Sequence, residues 1–495
     1  MFRRLGAAAF GWSLLAAAAA AQPVDAVSYQ VEPVVGAAGL AGVDVSLSFR
    51  GDADGRTEVW LPQSWAGTQN LDRAIGEVRI EGARLNRRGA RLRLRHARGG
   101  WIRLTYRIRQ DFAGPPVAGR DRPYRPSTQA DGFTLIGRTA FARVAGRADR
   151  PVRFAWGRGA HGWETASDLD RSLGHDLDFE QLADSVLVGG RDVRLIERQT
   201  GERRVRLAVR GVWAFSDAEL ADRYVRIIAA SEQIWAEPAA GYFLALTPML
   251  PGPAATPRAQ TGLGLGDGLA VWLTPGQSLE DATHVLAHEQ QHAWLPDRLG
   301  GLAEGPREVL DFWFSEGFTD FYALRTELRL GLITPEAMIA AFDAALERQA
   351  RTPARLDNAA VARAFFSDPV AAGVPYHRGL LLALMLDDRL DGRTGGRTGL
   401  DAVMRAMQRG QGTAPERLLT VYAELGGEDL RPILFEHVDR GAPIRLVPEL
   451  FGGCLAVVET GLRQRLVPGP ALADDRRSAC VARLAGHRGY KDILI

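Results

Sequence analysis

From about Ala26 to Val209 the chain is patterned for strands. Val43, Val45, Leu47 and Phe49 alternate with Asp44, Ser46 and Ser48, the period of two that gives a sheet one apolar and one polar face. The alternation returns at Leu92-Arg93-Leu94 and from Trp101 to Ile108, and Gly99-Gly100 between them predicts a hairpin. Val193 to Ile196 and Val205 to Val209 predict a second hairpin around Thr200-Gly201, and Asp54-Gly55 is a further turn signal. Arginine on the alternate positions reads as a solvated face. After Phe215 the period changes. Asp217 to Trp235 reads as a helix, Gly241-Tyr242-Phe243-Leu244-Ala245-Leu246 as a strand apolar on both faces, and the chain then stays mostly helical to about Asp439. The expected architecture is multidomain α+β: residues 1–21 a signal peptide, 22–212 an N-terminal all-β domain, 213–442 a mostly helical domain, and 443–495 a small C-terminal segment.

Two of the expected helices carry the chemistry. Ser278 with Asp281 makes a capping-box start, after which Leu279, Ala282, Val285, Leu286 and Ala293 form an apolar stripe. Beside the stripe lie His288, Glu289 and His292, in the order His-Glu-x-x-His, and Pro296 marks the end. Residues four apart share a helix face, so both imidazoles can reach one metal, with Glu289 turned towards the same centre. The second helix runs from about Glu308 to Leu330 with Gly331 as its C′ residue, and places Glu316 and Asp320 four apart. Glu316 supplies the third ligand. Three protein ligands leave one tetrahedral position of a zinc ion open, as catalysis requires and as a structural zinc site does not. Asp320 is placed to hold a ligating imidazole in one tautomer. His284, one turn before His288, is expected to line the cleft or support a ligand, because it lies about 12 Å along the axis from His292 and the two cannot share a small ion.

The ends of the chain carry different information. Arg3-Arg4, an apolar run from Leu5, and Ala19-Ala20-Ala21 before Gln22 read as a secretory signal peptide, so an exported, periplasmic or secreted protein is expected. No other stretch reads as long enough to span a bilayer, and no stable membrane insertion is expected of the mature chain. Cys454 and Cys480 are the only two cysteines, and in an exported chain they argue for one disulfide. The net charge of +2 gives no reason to expect nucleic acid or anionic membranes as partners. Gly262, Gly264, Gly266 and Gly268 alternate before the strand-like Leu269 to Leu273; they fit either a close-approaching edge strand or a loop. Nothing there matches a phosphate-binding loop. Oligomeric state is not legible.

Three segments together resemble a known family: His-Glu-x-x-His-x-Trp at His288 to Trp294, Trp-Phe-Ser-Glu-Gly-Phe-Thr-Asp-Phe-Tyr at Trp313 to Tyr322, and Tyr-x-x-Gly at Tyr376 to Gly379. They resemble the glycyl-aminopeptidase-like zinc peptidases of the gluzincin group. The resemblance implies a β-rich module ahead of a thermolysin-like catalytic domain. It also implies Zn2+ held by His288, His292 and Glu316, Glu289 as general base, and peptide or protein substrates. Tyr376, some sixty residues beyond Glu316, would donate a hydrogen bond to the oxyanion. The chain departs from the family pattern at Thr261-Gly262-Leu263-Gly264-Leu265-Gly266-Asp267-Gly268. The family's Gly-Gly-Leu-Glu-His-like sequence there holds the substrate's free amine with its glutamate, and Asp267 is the only acid nearby. About 55 residues after Ala442 leave no room for the PDZ-like domain with which the family often ends. A binding protein on a peptidase scaffold and a zinc hydrolase of a non-peptide bond are the two other readings.

Overall fold

The computed structural model describes residues 26–487, apart from 119–123, 148, 202, 239–240, 253–258, 267, 304, 354–355 and 462. The expected signal peptide and Asp267 therefore lie outside the described residues. The N-terminal part is all-β. A five-stranded sheet runs in the order Val152–Trp156, Val27–Gly36, Gly39–Arg50, Trp101–Ile108, Ile75–Glu81, and a four-stranded sheet in the order Arg143–Val144, Arg56–Trp60, Arg91–His96, Ala83–Arg88. Their apolar faces share one core: Val43, Val45, Leu47 and Phe49 from the first sheet are fully buried with Val59, Leu92 and Leu94 from the second. One expectation fails here. Arg91–His96 and Trp101–Ile108 are both strands, but they do not pair; the first lies between Arg56–Trp60 and Ala83–Arg88, the second between Gly39–Arg50 and Ile75–Glu81. Gly99, at φ 61, turns the chain from one sheet to the other, so each strand presents its leucines to the common core from opposite sides.

A further four-stranded sheet (Ser127–Gln129, Gly132–Ile136, Val186–Gly190, Glu164–Ser167) packs on a mixed five-stranded sheet in the order Arg194–Thr200, Arg203–Val209, Tyr242–Pro248, Gly268–Leu273, Gln260–Leu265. The Thr200-Gly201 hairpin forms as expected, yet it belongs to this mixed sheet and not to the sandwich at the N-terminus, so the expected break at residue 212 falls after the sheet has begun. The physical reason is two-sided burial. Val205, Leu207 and Val209 face the helices, while Ala208 faces the other sheet. Tyr242–Pro248 sits between parallel neighbours, with Leu244 and Leu246 turned to the helices and Phe243 and Ala245 to the other sheet; this accounts for its unbroken apolar run.

The helices beyond this sheet form the largest core. Ser216 and Ser278 each close a capping box, with Glu219 and Asp281, at the starts of Asp217–Trp235 and Leu279–Gln291. The latter helix is mostly buried, with Glu280 exposed, and its two glutamines are satisfied internally: Gln290 accepts from the Tyr224 hydroxyl at 2.6 Å, and Gln291 accepts from the Trp235 indole at 2.8 Å while donating to Ser231 and Thr326. Pro369–Thr394 is the one helix among the described residues long and apolar enough to cross a membrane, contrary to the expectation that none is; most of it is threaded through this core. The C-terminal segment packs onto the same core. Three short strands, Glu449–Leu450, Leu455–Thr460 and Arg463–Pro468, form its sheet, and a Cys454–Cys480 disulfide ties it to the closing helix. Arg325, fully buried on the Phe312–Arg329 helix, pairs with Asp387 at 2.6 Å and Asp401 at 2.5 Å and donates to the Leu484 carbonyl at 3.1 Å.

Candidate metal centre and active site

The helix Leu279–Gln291 and the helix Phe312–Arg329 lie side by side, and their polar residues meet. His288, His292 and Glu316 offer donor atoms all within 4.8 Å of one another, the only such cluster of metal-binding side chains among the described residues. Nε2 of His288 is 3.4 Å, and Nε2 of His292 3.9 Å, from Glu316 Oε2. The other ring nitrogen of each histidine is already engaged: Nδ1 of His288 with Asp320 Oδ1 at 2.8 Å, Nδ1 of His292 with the Leu295 carbonyl at 3.0 Å. Engaging Nδ1 leaves both Nε2 atoms directed at the common point, as metal ligation requires. The charges agree. Burial would depress the His288 pKa, yet hydrogen bonds to Asp320 and Glu316 hold it well above the ordinary value. The same carboxylates that stabilise a positive ring would stabilise a cation between the rings. These residues fit a zinc ion.

His284 lies outside the donor cluster. Its Nδ1 is 3.0 Å from Glu327 Oε1 and its Nε2 3.4 Å from Asp320 Oδ1, so it extends the hydrogen-bond chain behind His288. Asp320 thus touches two imidazoles, and burial notwithstanding, they hold its carboxyl far below the usual carboxylate range.

Glu289 stands beside the cluster. Burial raises its pKa, against the lowering influence of the two histidines and of a hydrogen bond from the backbone of Gly264. Gly264 is on Gln260–Leu265, which is a strand, so the alternating glycines resolve as an edge strand and not as a loop. Their lack of side chains is required: a Cβ on Gly262 would lie 2.2 Å from Glu289 Cγ, and one on Gly264 would lie 2.6 Å from both the Glu289 carbonyl oxygen and His292 Cβ. The strand therefore lies directly against the helix that bears the base.

Tyr376 comes from Pro369–Thr394 and stacks against His288, ring centroids 6.0 Å apart. Its hydroxyl hydrogen-bonds the Glu316 carboxylate, which the histidines and this phenol hold below its ordinary pKa despite burial. Burial, with the charge of Glu316, raises the phenol well above its own ordinary value, so it stays a proton donor. A contact without side chains sets its position. The helices cross where Gly317 meets Gly379, a Cβ on the former falling 2.3 Å from the Cα of the latter. Each glycine follows a site residue, Glu316 by one position and Tyr376 by three.

One residue at the site was not anticipated. Tyr124, from the N-terminal half, donates to the Gly262 carbonyl at 3.2 Å and lies 3.3 Å from Thr261 Oγ1. Burial pushes its phenol up to about 12, and the charges of Glu289 and Glu316 act in the same direction, so it too stays protonated. No local signal singles it out; only the fold brings it beside a strand so distant in sequence.

The fold thus gathers a β-rich module, a mixed sheet edged by a strand beside the His-Glu-x-x-His helix, and a glutamate on the next helix around one site. Residues 281–367 match the family described as M61 glycyl aminopeptidase, a span that holds His288, Glu289, His292 and Glu316 and ends before Tyr376. Among solved structures, an aminopeptidase N family protein from Idiomarina loihiensis is similar at TM-score 0.72 and 16% identity, covering 88% of this chain and 79% of that one. An M1 zinc metallopeptidase from Deinococcus radiodurans is similar at TM-score 0.54 and 16% identity, covering 86% and 96%. At such identity the likeness is one of fold. No curated protein sequence matches the chain.

Proposed function

We propose that the chain is an exported zinc metallopeptidase, aminopeptidase-like, that hydrolyses peptide bonds with Glu289 as general base. The observation that carries this reading is the convergence of two Nε2 atoms and one carboxylate, each held by a partner of its own, with a separate buried carboxylate beside them. His288, His292 and Glu316 would hold the zinc; when bound, it polarises the scissile carbonyl and makes water a nucleophile near neutral pH. Glu289, whose carboxyl is raised towards the working range of a base, takes a proton from the attacking water and delivers it to the leaving amine. The Tyr376 hydroxyl donates to the developing oxyanion, exchanging its present acceptor Glu316 for the substrate. Asp320 keeps a proton on Nδ1 of His288 and so keeps Nε2 free.

Tyr376→Phe keeps the ring stacked on His288 and removes the donor. A fall in kcat of about a hundredfold with little change in KM is expected, as for loss of one donor to a developing charge. Steady-state kinetics on one peptide decide it, and an unchanged kcat would reduce Tyr376 to packing.

The function itself is tested by mass-spectrometric digestion of a peptide mixture with free and acetylated N-termini, using the mature protein and its Glu289→Gln variant. Loss of single residues from free termini alone is expected. Internal cuts would mean that an edge strand without an acidic amine partner admits longer chains. An absence of Glu289-dependent products would favour a binding protein or a non-peptide substrate.

A further inference from the structure

Gln260–Leu265 is the last strand of its sheet, and among the described residues it has a strand neighbour on one side only, Gly268–Leu273. It is short and carries Gly262 and Gly264, so its own conformational preference is weak. Yet it touches Glu289 twice, through the Gly264 backbone and through the bare Cα of Gly262. Whatever fixes this strand also fixes the proposed base. The sheet contributes one side of that restraint. The other is Tyr124, whose hydroxyl donates to the outward carbonyl of Gly262. The phenol is itself held edge-on between Trp65 and Trp272, each ring centroid 6.1 Å away. Trp65 belongs to the N-terminal half and Trp272 to the strand paired with Gln260–Leu265, so the tyrosine is clamped across the junction of the two halves.

We propose that Tyr124 is a positioning residue for Glu289, acting through the main chain of Gly262. The proposal rests on the peptidase reading for its kinetic consequence but not for its structural one. The N-terminal half is then part of the working site: it supplies the hydrogen bond that keeps the edge strand pressed against the carboxylate. Without that bond the Gly262 carbonyl loses its hydrogen-bond donor, and Glu289 gains room to leave its orientation towards the donor cluster. Tyr124 touches no reacting atom, so its loss should lower turnover without weakening substrate binding.

The test uses the full mature chain, zinc-loaded, with Tyr124→Phe, Glu289→Asp and the double variant. Phenylalanine keeps the contacts with Trp65 and Trp272 and deletes only the hydroxyl. Hydrogen exchange followed by mass spectrometry should show the segment 260–265 exchanging about five- to tenfold faster in Tyr124→Phe, the effect of losing the hydroxyl's contacts with Gly262 and Thr261, with other segments unchanged. In the same preparation kcat should fall about tenfold with KM within about twofold, and that fall should shrink when Glu289 is already shortened to aspartate. Unchanged exchange overturns the proposal, and so does faster exchange with unaltered kcat, which would make the contact structural only. An equal kcat loss in both backgrounds would also overturn it, since Tyr124 would then act independently of Glu289. Should the wild type cut no peptide in a Glu289-dependent way, the peptidase reading fails and the exchange result alone decides whether Tyr124 pins the strand.

Discussion

Glu289→Gln is expected to lower peptide turnover by about 10²- to 10⁴-fold while fold and zinc content stay as they are, the usual contribution of a positioned proton-transfer group. The substitution isolates proton transfer because of what surrounds the side chain. Glu289 is not among the three clustered donors, so the metal set is intact in the variant. A glutamine oxygen can still accept the hydrogen bond from the Gly264 backbone, and the shape that fits against the bare Cα of Gly262 is unchanged. Burial is the chief reason the Glu289 pKa is raised, so a neutral amide there removes the cost of a desolvated charge and stability should not suffer. Peptide kinetics, thermal melting and zinc stoichiometry on the two proteins together decide the matter. Near-normal turnover would remove Glu289 from the mechanism, whereas lost zinc would mean that its charge helps retain the ion.

Gly379→Ala should be the most damaging of the small substitutions. A Cβ there would lie 1.8 Å from the Trp313 carbonyl oxygen and 2.8 Å from the Cα of Gly317. Both obstacles are backbone, so no rotamer change relieves them and the two helices must move apart. A destabilisation of about 3 kcal/mol is expected, at the upper end of what overpacking costs. The damage extends to chemistry because Glu316 and Tyr376 flank the crossing, so zinc affinity should fall as well. Gly392 on the same helix is the control, since a Cβ there meets nothing within 4 Å and Gly392→Ala should be neutral or stabilising. Urea unfolding and zinc titration of both variants test the contrast; an unfolding midpoint for Gly379→Ala equal to the parent's would show that the helices are held by other contacts.

Helix period made the site legible. Four-residue spacing alone set His288 beside His292 and Glu316 beside Asp320, and the two helices then needed only to be neighbours. The alternation from Val43 to Phe49 likewise announced a buried face. What alternation cannot announce is which strand lies alongside. Leu92 and Leu94 pointed inward as expected, but the information that sends Arg91–His96 and Trp101–Ile108 to different sheets is in the shared core they enclose, not in the glycines between them. The Thr200-Gly201 hairpin was visible for the opposite reason: its pairing is local, and only its membership of the mixed sheet depended on distant strands. The glycines at 262 and 264 fitted a close-approaching edge strand or a loop equally, and those at 317 and 379 stood only inside their motifs, because the partner that fills the space of a missing Cβ lies elsewhere in the chain. Tyr124 was illegible for the same reason.

The buried guanidinium of Arg325 draws its partners from positions far apart in the chain. The helix that bears Glu316 emerges from the ribosome with this charge, yet two of its acceptors, Asp387 and Asp401, follow many residues later, and the last, the Leu484 carbonyl, comes near the end of the chain. Until those partners arrive, burying Arg325 leaves a charge uncompensated, which opposes docking of the helix. A nascent or truncated chain that lacks them is thus disfavoured from docking this helix, and with it from bringing Glu316 to His288 and His292.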